Sequence, residues 1–268
     1  MHDPKLRSIV FAAAILGLGA CASAAAAPDS ALQAVIADPA RSANFVARDP
    51  VRHPAQELSF FGIKPGMTVV ELWPGGGYWT EILGPYLAKS GTYYVALEST
   101  ATEEGAKSVS HWRSRMAAEK DRLGTIHETT LDAGHYDIAP SGSADLVLTF
   151  RNLHNWMDGG YADQALAACF AALKSGGILG IEEHRGRSDK PQDPKAADGY
   201  VREDYTIALA KKAGFVLVAK SEINANPKDP EDVNVHRLPP NLVGPDDEHA
   251  RMLAIGESDR MTLRFVKP

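Results

Sequence analysis

The apolar positions of this chain fall into short, dense runs separated by longer stretches of mixed character. MTVVEL (67–72), TYYVALE (92–98), TIHETTL (125–131), DLVLTF (145–150), GGILGIEEH (176–184), VLVAKSEI (216–223) and RMTLRFVKP (260–268) each read as a strand. Between them lie segments with helical spacing. These are YWTEILGPYLAKSG, interrupted by Gly84 and Pro85, then ATEEGAKSVSHWRSRMAAEKDRLG, YADQALAACFAALKSGG and REDYTIALAKKAGF, the last ending at Gly214. Residues 28–65 look like a helical collar broken by Pro39, Pro50 and Pro54. Strands alternating with helices predict an α/β, doubly wound, mostly parallel sheet of seven strands with helices on both faces. The last strand follows a long Pro- and Asp-rich connection (224–258) rather than a helix, so it is expected to enter antiparallel. No internal repeat is visible.

The first residues have another pattern. Lys5 and Arg7 precede IVFAAAILGLGA, an apolar run shorter than the ~20 residues that span a bilayer. It ends at LGAC and continues ASAAAAPDS, with no twin-arginine pair. Residues 1–27 therefore read as an export leader, and 28–268 as one domain. LGAC resembles a bacterial lipobox, which would make Cys21 a lipidated first residue and the sole membrane anchor. Cleavage at ASA or AAA, leaving a soluble periplasmic protein, is the alternative.

Composition narrows the function classes. The chain has 268 residues, 44% of them apolar, enough for one sizeable core. A net charge of −6 with no basic run excludes nucleic acid as the expected partner. Two cysteines are too few for a disulfide framework. Cys169 shares a helical face with Ala162, Leu166, Phe170 and Leu173 and reads as a core thiol.

In a doubly wound sheet, ligands bind beyond the carboxyl ends of the strands. Here those ends carry Glu71 and WPGGG, then Glu98, then Asp132, then RNLHNW, then EEHRGR. The glycine run lacks the Lys-Ser/Thr of a phosphate loop, and Thr80 replaces the third glycine of a dinucleotide loop. VVELWPGGGYWTEIL instead resembles the first motif of class I S-adenosylmethionine-dependent methyltransferases, an acidic residue followed by xGxGxG, with Trp73 in place of the first glycine. Glu98 in YVALES and Asp132 in TLDAG match that family's acidic residues for the ribose hydroxyls and the adenine amino group. LHNW is similar to its LHHW-like segments. Together these cover residues 66 to about 185. Longer stretches, among them FRNLHNW, GYVRED and AIGESDRMTLRFVKP, resemble a narrower bacterial group of exported predicted methyltransferases. The resemblance implies S-adenosylmethionine as cofactor, held by Glu71, Gly75, Gly76, Gly77, Glu98, Asp132 and Ala133, and a small-molecule methyl acceptor.

His154 is the candidate base, with Asn155 orienting the substrate or the imidazole and Trp156 supplying an apolar wall. Packing of His154 and Trp156 against the collar is the competing reading. His184 and Arg185 read as partners of an anionic substrate group or, alternatively, of Glu182 or Glu183. His127, His135, His154, Glu183 and His184 match no compact ligand motif, so no metal is expected. The 224–258 segment reads as a lid or substrate wall, or as a cover over a sheet edge. Three functions stay open: an active methyltransferase, a non-catalytic ligand-binding protein on the same fold, and a nicotinamide oxidoreductase disfavoured by the missing third glycine.

Overall fold

The computed structural model describes residues 29–268, so the leader expectation, Cys21 included, lies outside the described residues. Eight strands form one sheet: β1 (Thr68–Leu72), β2 (Thr92–Leu97), β3 (Ile126–Thr130), β4 (Ala144–Phe150), β5 (Leu173–Gly186), β6 (Val201–Arg202), β7 (Val216–Ser221) and β8 (Arg260–Val266). Their order is β3-β2-β1-β4-β5-β8-β7, with β6 beside the end of β5. All pairs are parallel except those of β8, which runs antiparallel between β5 and β7. The expected seven strands and antiparallel last strand are present. The eighth, β6, has two residues, too short for a hydrophobic period to reveal.

Period-2 alternation splits the core into two layers. In β1, Val69 points to the layer with Leu146, Leu148, Ile82 and Trp112, while Val70 and Leu72 point to the layer with Val147, Leu179, Leu166 and Cys169. Cys169 is fully buried, and burial pushes its thiol up to about 12, so it is an inert core group as expected.

The collar consists of four short helices, Ser30–Ile36, Ala43–Val46, Asp49–Arg52 and Pro54–Phe61. Pro50 and Pro54 start helices here rather than break them, because a first-turn residue needs no N–H partner.

Two expectations are corrected. Gly84 and Pro85 do not interrupt their helix, which runs unbroken over Thr80–Leu87. Pro85 has no N–H for the Glu81 carbonyl, and the Arg122 guanidinium donates to that oxygen instead at 2.9 Å. The 224–258 connection is not devoid of helix: it holds a 3₁₀ turn (Val235–Arg237) and the α-helix Asp246–Ile255. Asp246, Asp247 and Glu248 complement that helix's N-terminus, and Met252 joins Val233 and Leu238 in a small separate core. Among the described residues no helix is long and apolar enough to cross a membrane.

Candidate active site

A cavity of ≈ 290 Å³ opens beyond the carboxyl ends of β1, β4 and β5. The collar closes one side through Phe45, Arg48 and Arg52, and the long connection closes another through Val235, His236 and Asn241. That connection is therefore a wall of the cavity.

The loop after β1 builds the floor. Gly75 (φ 55°) and Gly77 (φ 91°) take left-handed backbone, and a Cβ on Gly75 would meet nothing within 4 Å, so this stretch offers bare backbone to a ligand. Trp73 is also left-handed, at φ 48°, a conformation that suits the glycine it replaces. Glu71 is fully buried and accepts from the Thr80 hydroxyl at 2.9 Å and from the Tyr93 hydroxyl; its Oε1 has no partner. Burial pushes the Glu71 carboxyl up to about 7, against those two hydrogen bonds.

The segment after β4 supplies the polar wall. Arg151 is left-handed (φ 63°), and the Asn152 amide donates to the Leu72 carbonyl at 2.9 Å, tying the end of β4 to the end of β1. The helix Leu153–Asp158 then turns His154 and Asn155 to the cavity and Trp156 into the core. His154 Nδ1 lies 2.9 Å from Glu183 Oε1, and His154 Nε2 is buried without a partner. The Glu183 carboxylate also accepts the backbone N–H of His184 at 2.8 Å and of His154 at 3.2 Å. His184 Nδ1 meets Ser258 Oγ at 2.5 Å. Burial, with His154 and Arg260 adding repulsion, holds the His184 imidazole neutral, well below its ordinary value.

The sequence-predicted residues divide into two groups. Glu71, Gly75, Gly76, His154 and Asn155 share the cavity, whereas Glu98, Asp132 and Ala133 are not among its walls. Gly77 is set behind them, against Met116 and Trp112. Asp132 accepts the N–H groups of Ser99 at 3.1 Å and Ala133 at 2.7 Å, so the Ala133 amide is already engaged. Glu98 is half-buried; burial pushes its carboxyl up, opposed by a Ser108 hydrogen bond, with Glu104 and Asp132 adding to the rise. Between the groups stands Trp73, which lines the cavity and donates its indole N–H to the Leu131 carbonyl at 2.7 Å, one residue before Asp132.

Other expectations change. Trp156 is fully buried, absent from the cavity wall and packed with Trp73 rather than the collar. Arg185 pairs with Asp259 at 2.8 Å and Glu222 at 2.6 Å, and Glu182 pairs with Arg260, so the expected pairing of Arg185 with Glu182 or Glu183 is not formed. His154, Glu183 and His184 offer ligand atoms within 4.8 Å of one another, the one such group among the described residues, and His127 and His135 are not in it. Spacing could not show this, because β4 and β5 bring the three together. Glu183 already accepts two backbone N–H groups and lies 2.9 Å from His154 Nδ1, and Arg48, Arg52 and Arg151 stand in the same wall as His154 and His184. Within the trio, Glu183 and His154 form an acid–imidazole pair. Sequence reasoning missed Glu183 as the partner of His154, and it missed Arg48, Arg52, Arg151 and His236. The one available signal was the four-residue spacing of Arg48 and Arg52, which places them on one helical face.

No family model matches the chain, and a search of curated proteins finds no match. Solved structures do. A methyltransferase from Aquifex aeolicus, described as S-adenosylmethionine-dependent, superposes with a TM-score of 0.55 at 15% identity, covering 88% of this chain and 97% of that one. The chain has the fold of S-adenosylmethionine-dependent methyltransferases. A phosphoethanolamine N-methyltransferase from Haemonchus contortus, solved with phosphomonomethylethanolamine and S-adenosylhomocysteine, gives a TM-score of 0.53 at 16% identity, covering 87% and 60%. A 4+2 cyclase also superposes, with a TM-score of 0.55 at 15% identity, covering 86% of this chain and 84% of that one.

The donor set fits S-adenosylmethionine, on which the Aquifex aeolicus enzyme is described as dependent, in two parts. Bare glycine backbone and the unpartnered Glu71 oxygen suit the methionyl end. Beyond Trp73, Glu98 and Asp132 present carboxylates suited to a nucleoside's hydroxyl and amino groups.

Proposed function

We propose that this protein is an S-adenosylmethionine-dependent methyltransferase acting on a small-molecule acceptor in the ≈ 290 Å³ cavity. One observation carries the reading: a buried imidazole, held at Nδ1 by a carboxylate, leaves Nε2 free beside a glycine loop. When bound, S-adenosylmethionine supplies a methyl group already activated by its sulfonium. Glu71, Gly75 and Gly76 would hold its methionyl end, and Glu98 and Asp132 its nucleoside. Glu183 fixes the proton of His154 on Nδ1, which presents the Nε2 lone pair to the cavity. His154 Nε2 then takes the proton of the acceptor's nucleophile, and Glu183 stabilises the imidazolium. Asn155, in the same wall, orients the acceptor. The collar and the long connection exclude water.

Calorimetry of S-adenosylmethionine with the full chain tests the reading, and no saturable binding would remove it. A second reading, a non-catalytic ligand-binding protein on this fold, is favoured by the indole of Trp73 standing between the two halves of the donor set. Binding without turnover would select it. The leader pattern adds export to the periplasm to the proposal, as the narrower group the sequence resembles implies, with Cys21 either lipidated or removed by plain cleavage. Acyl labelling that is lost in Cys21→Ser supports lipidation; export without labelling selects plain cleavage.

A further inference from the structure

The guanidiniums around this cavity are more numerous than its acids. Among the described residues, Arg48, Arg52 and Arg151 line it, with Glu71 as the one carboxyl in the wall. Their common counterion is Glu257, which is not part of that wall. Arg48 donates to Glu257 Oε1 through Nε at 2.8 Å and Nη2 at 2.7 Å. Arg151 Nη1 and Arg52 Nε stand 3.7 and 3.9 Å from Oε2, too far for hydrogen bonds, while Arg260 Nη1 donates to that oxygen at 3.1 Å.

One carboxylate thus faces four guanidiniums and satisfies two. Arg52 is 2% exposed with its guanidinium 4.6 Å over the Tyr78 ring, and among the described residues its Nε and Nη2, like the buried Arg151 Nε, have no hydrogen-bond partner. Burial and repulsion from Arg52 pull Arg48 below its ordinary value, against the attraction of Glu257, as expected where positive charge is crowded. Buried polar groups are ordinarily satisfied, so unpartnered donors on a cavity wall call for an acceptor in the cavity. A planar guanidinium fork matches the paired oxygens of a carboxylate or phosphate.

We propose that Arg48, Arg52 and Arg151 form an oxyanion site that takes a carboxylate or phosphate group of the molecule bound in the cavity. It rests on the reading of this cavity as the reaction site and defines the class of ligand: an anionic one. The oxyanion belongs either to the methyl acceptor or to the methionyl carboxylate of the cofactor. Arg151 comes three residues before His154, so an acceptor held by its anionic group at Arg151 would be anchored near the base.

The test is calorimetric titration of inorganic phosphate into the full chain, without cofactor, for the parent, Arg52→Gln and Arg151→Gln. Saturable binding that weakens about tenfold or more in both variants is the expected result. Arg151 is only half-buried, so its variant keeps the test decisive if Arg52→Gln fails to fold. No saturable binding by the parent, or parental affinity in folded Arg151→Gln, overturns the site. Repeating the titration with saturating S-adenosylmethionine or 5′-methylthioadenosine, which lacks the methionyl carboxylate, separates the two sources. Loss of phosphate binding under the first alone assigns the site to the cofactor, and retention under both assigns it to the acceptor. Phosphate binding without any cofactor binding would sustain the oxyanion site while removing the methyltransferase reading.

Discussion

The Trp73 indole meets the Trp156 ring edge-on, with centroids 6.3 Å apart and planes at 89°. Its N–H bonds the Leu131 carbonyl at 2.7 Å, so one side chain ties the end of β1 to the end of β3 and to the core helix after β4. Trp73→Gly places a residue suited to φ 48° at that position and removes the barrier between the two carboxylate groups. S-adenosylmethionine affinity should rise by about tenfold or more, while loss of the aromatic pair and hydrogen bond should cost about 1–3 kcal/mol of stability. Calorimetry and urea unfolding measure the two. Equal or weaker affinity in the variant would mean that Trp73 is not the barrier.

Glu183→Gln removes the charge that holds His154 while keeping the shape of the side chain. Methyl transfer should slow by about 10²–10⁴-fold with cofactor affinity unchanged. Single-turnover transfer and calorimetry make the comparison, once an acceptor has been found with the anionic class as guide. A variant that loses cofactor affinity instead would place the pair in the binding shell.

Glu71 sets a pH dependence. Its folded value is raised to about 7, so from the ordinary carboxylate range up to that point the native protein keeps a proton that the unfolded chain has released. Stability from this group is present below the ordinary range, falls as pH rises across the window, and is constant above it. Glu71→Gln cannot ionise and should be more stable than the parent at pH 8 by up to about 3 kcal/mol, with the difference vanishing near pH 4. Chemical unfolding at several pH values reads this directly. A pH-independent difference would show that Glu71 titrates normally.

Arg122→Ala should destabilise the fold by about 1–3 kcal/mol, since it leaves the Glu81 carbonyl, which Pro85 cannot serve, without a donor. Pro85→Ala in the Arg122→Ala background restores the helix N–H and should recover part of the loss. Urea midpoints of the three proteins measure the coupling, and simple additivity would rule out the substitution of one donor for the other.

Much of this architecture is written locally. Dense apolar runs in TVVEL and ADLVLTF, with valine and leucine on both faces, mark strands meant to be covered on both sides. The glycines of WPGGG determine a left-handed turn at the end of β1, and the acidic residues at the ends of β1, β2 and β3 follow from chain order alone. The role of His154 is another matter, because its partner Glu183 is 29 residues away. Strand pairing that sets Phe150 beside Glu182 is what brings their ends together. The convergence of Arg48, Arg151 and Arg260 on Glu257 joins three distant parts of the chain, Arg48 and Glu257 being 209 positions apart. Sequence by itself determined the strands, the loop and the fold they build, because those depend on neighbours along the chain. Which charges face the cavity, which are spent on one another, and that Trp73 lines the cavity while bonding the end of β3 were decided only by tertiary structure, since burial and electrostatic pairing depend on neighbours in space.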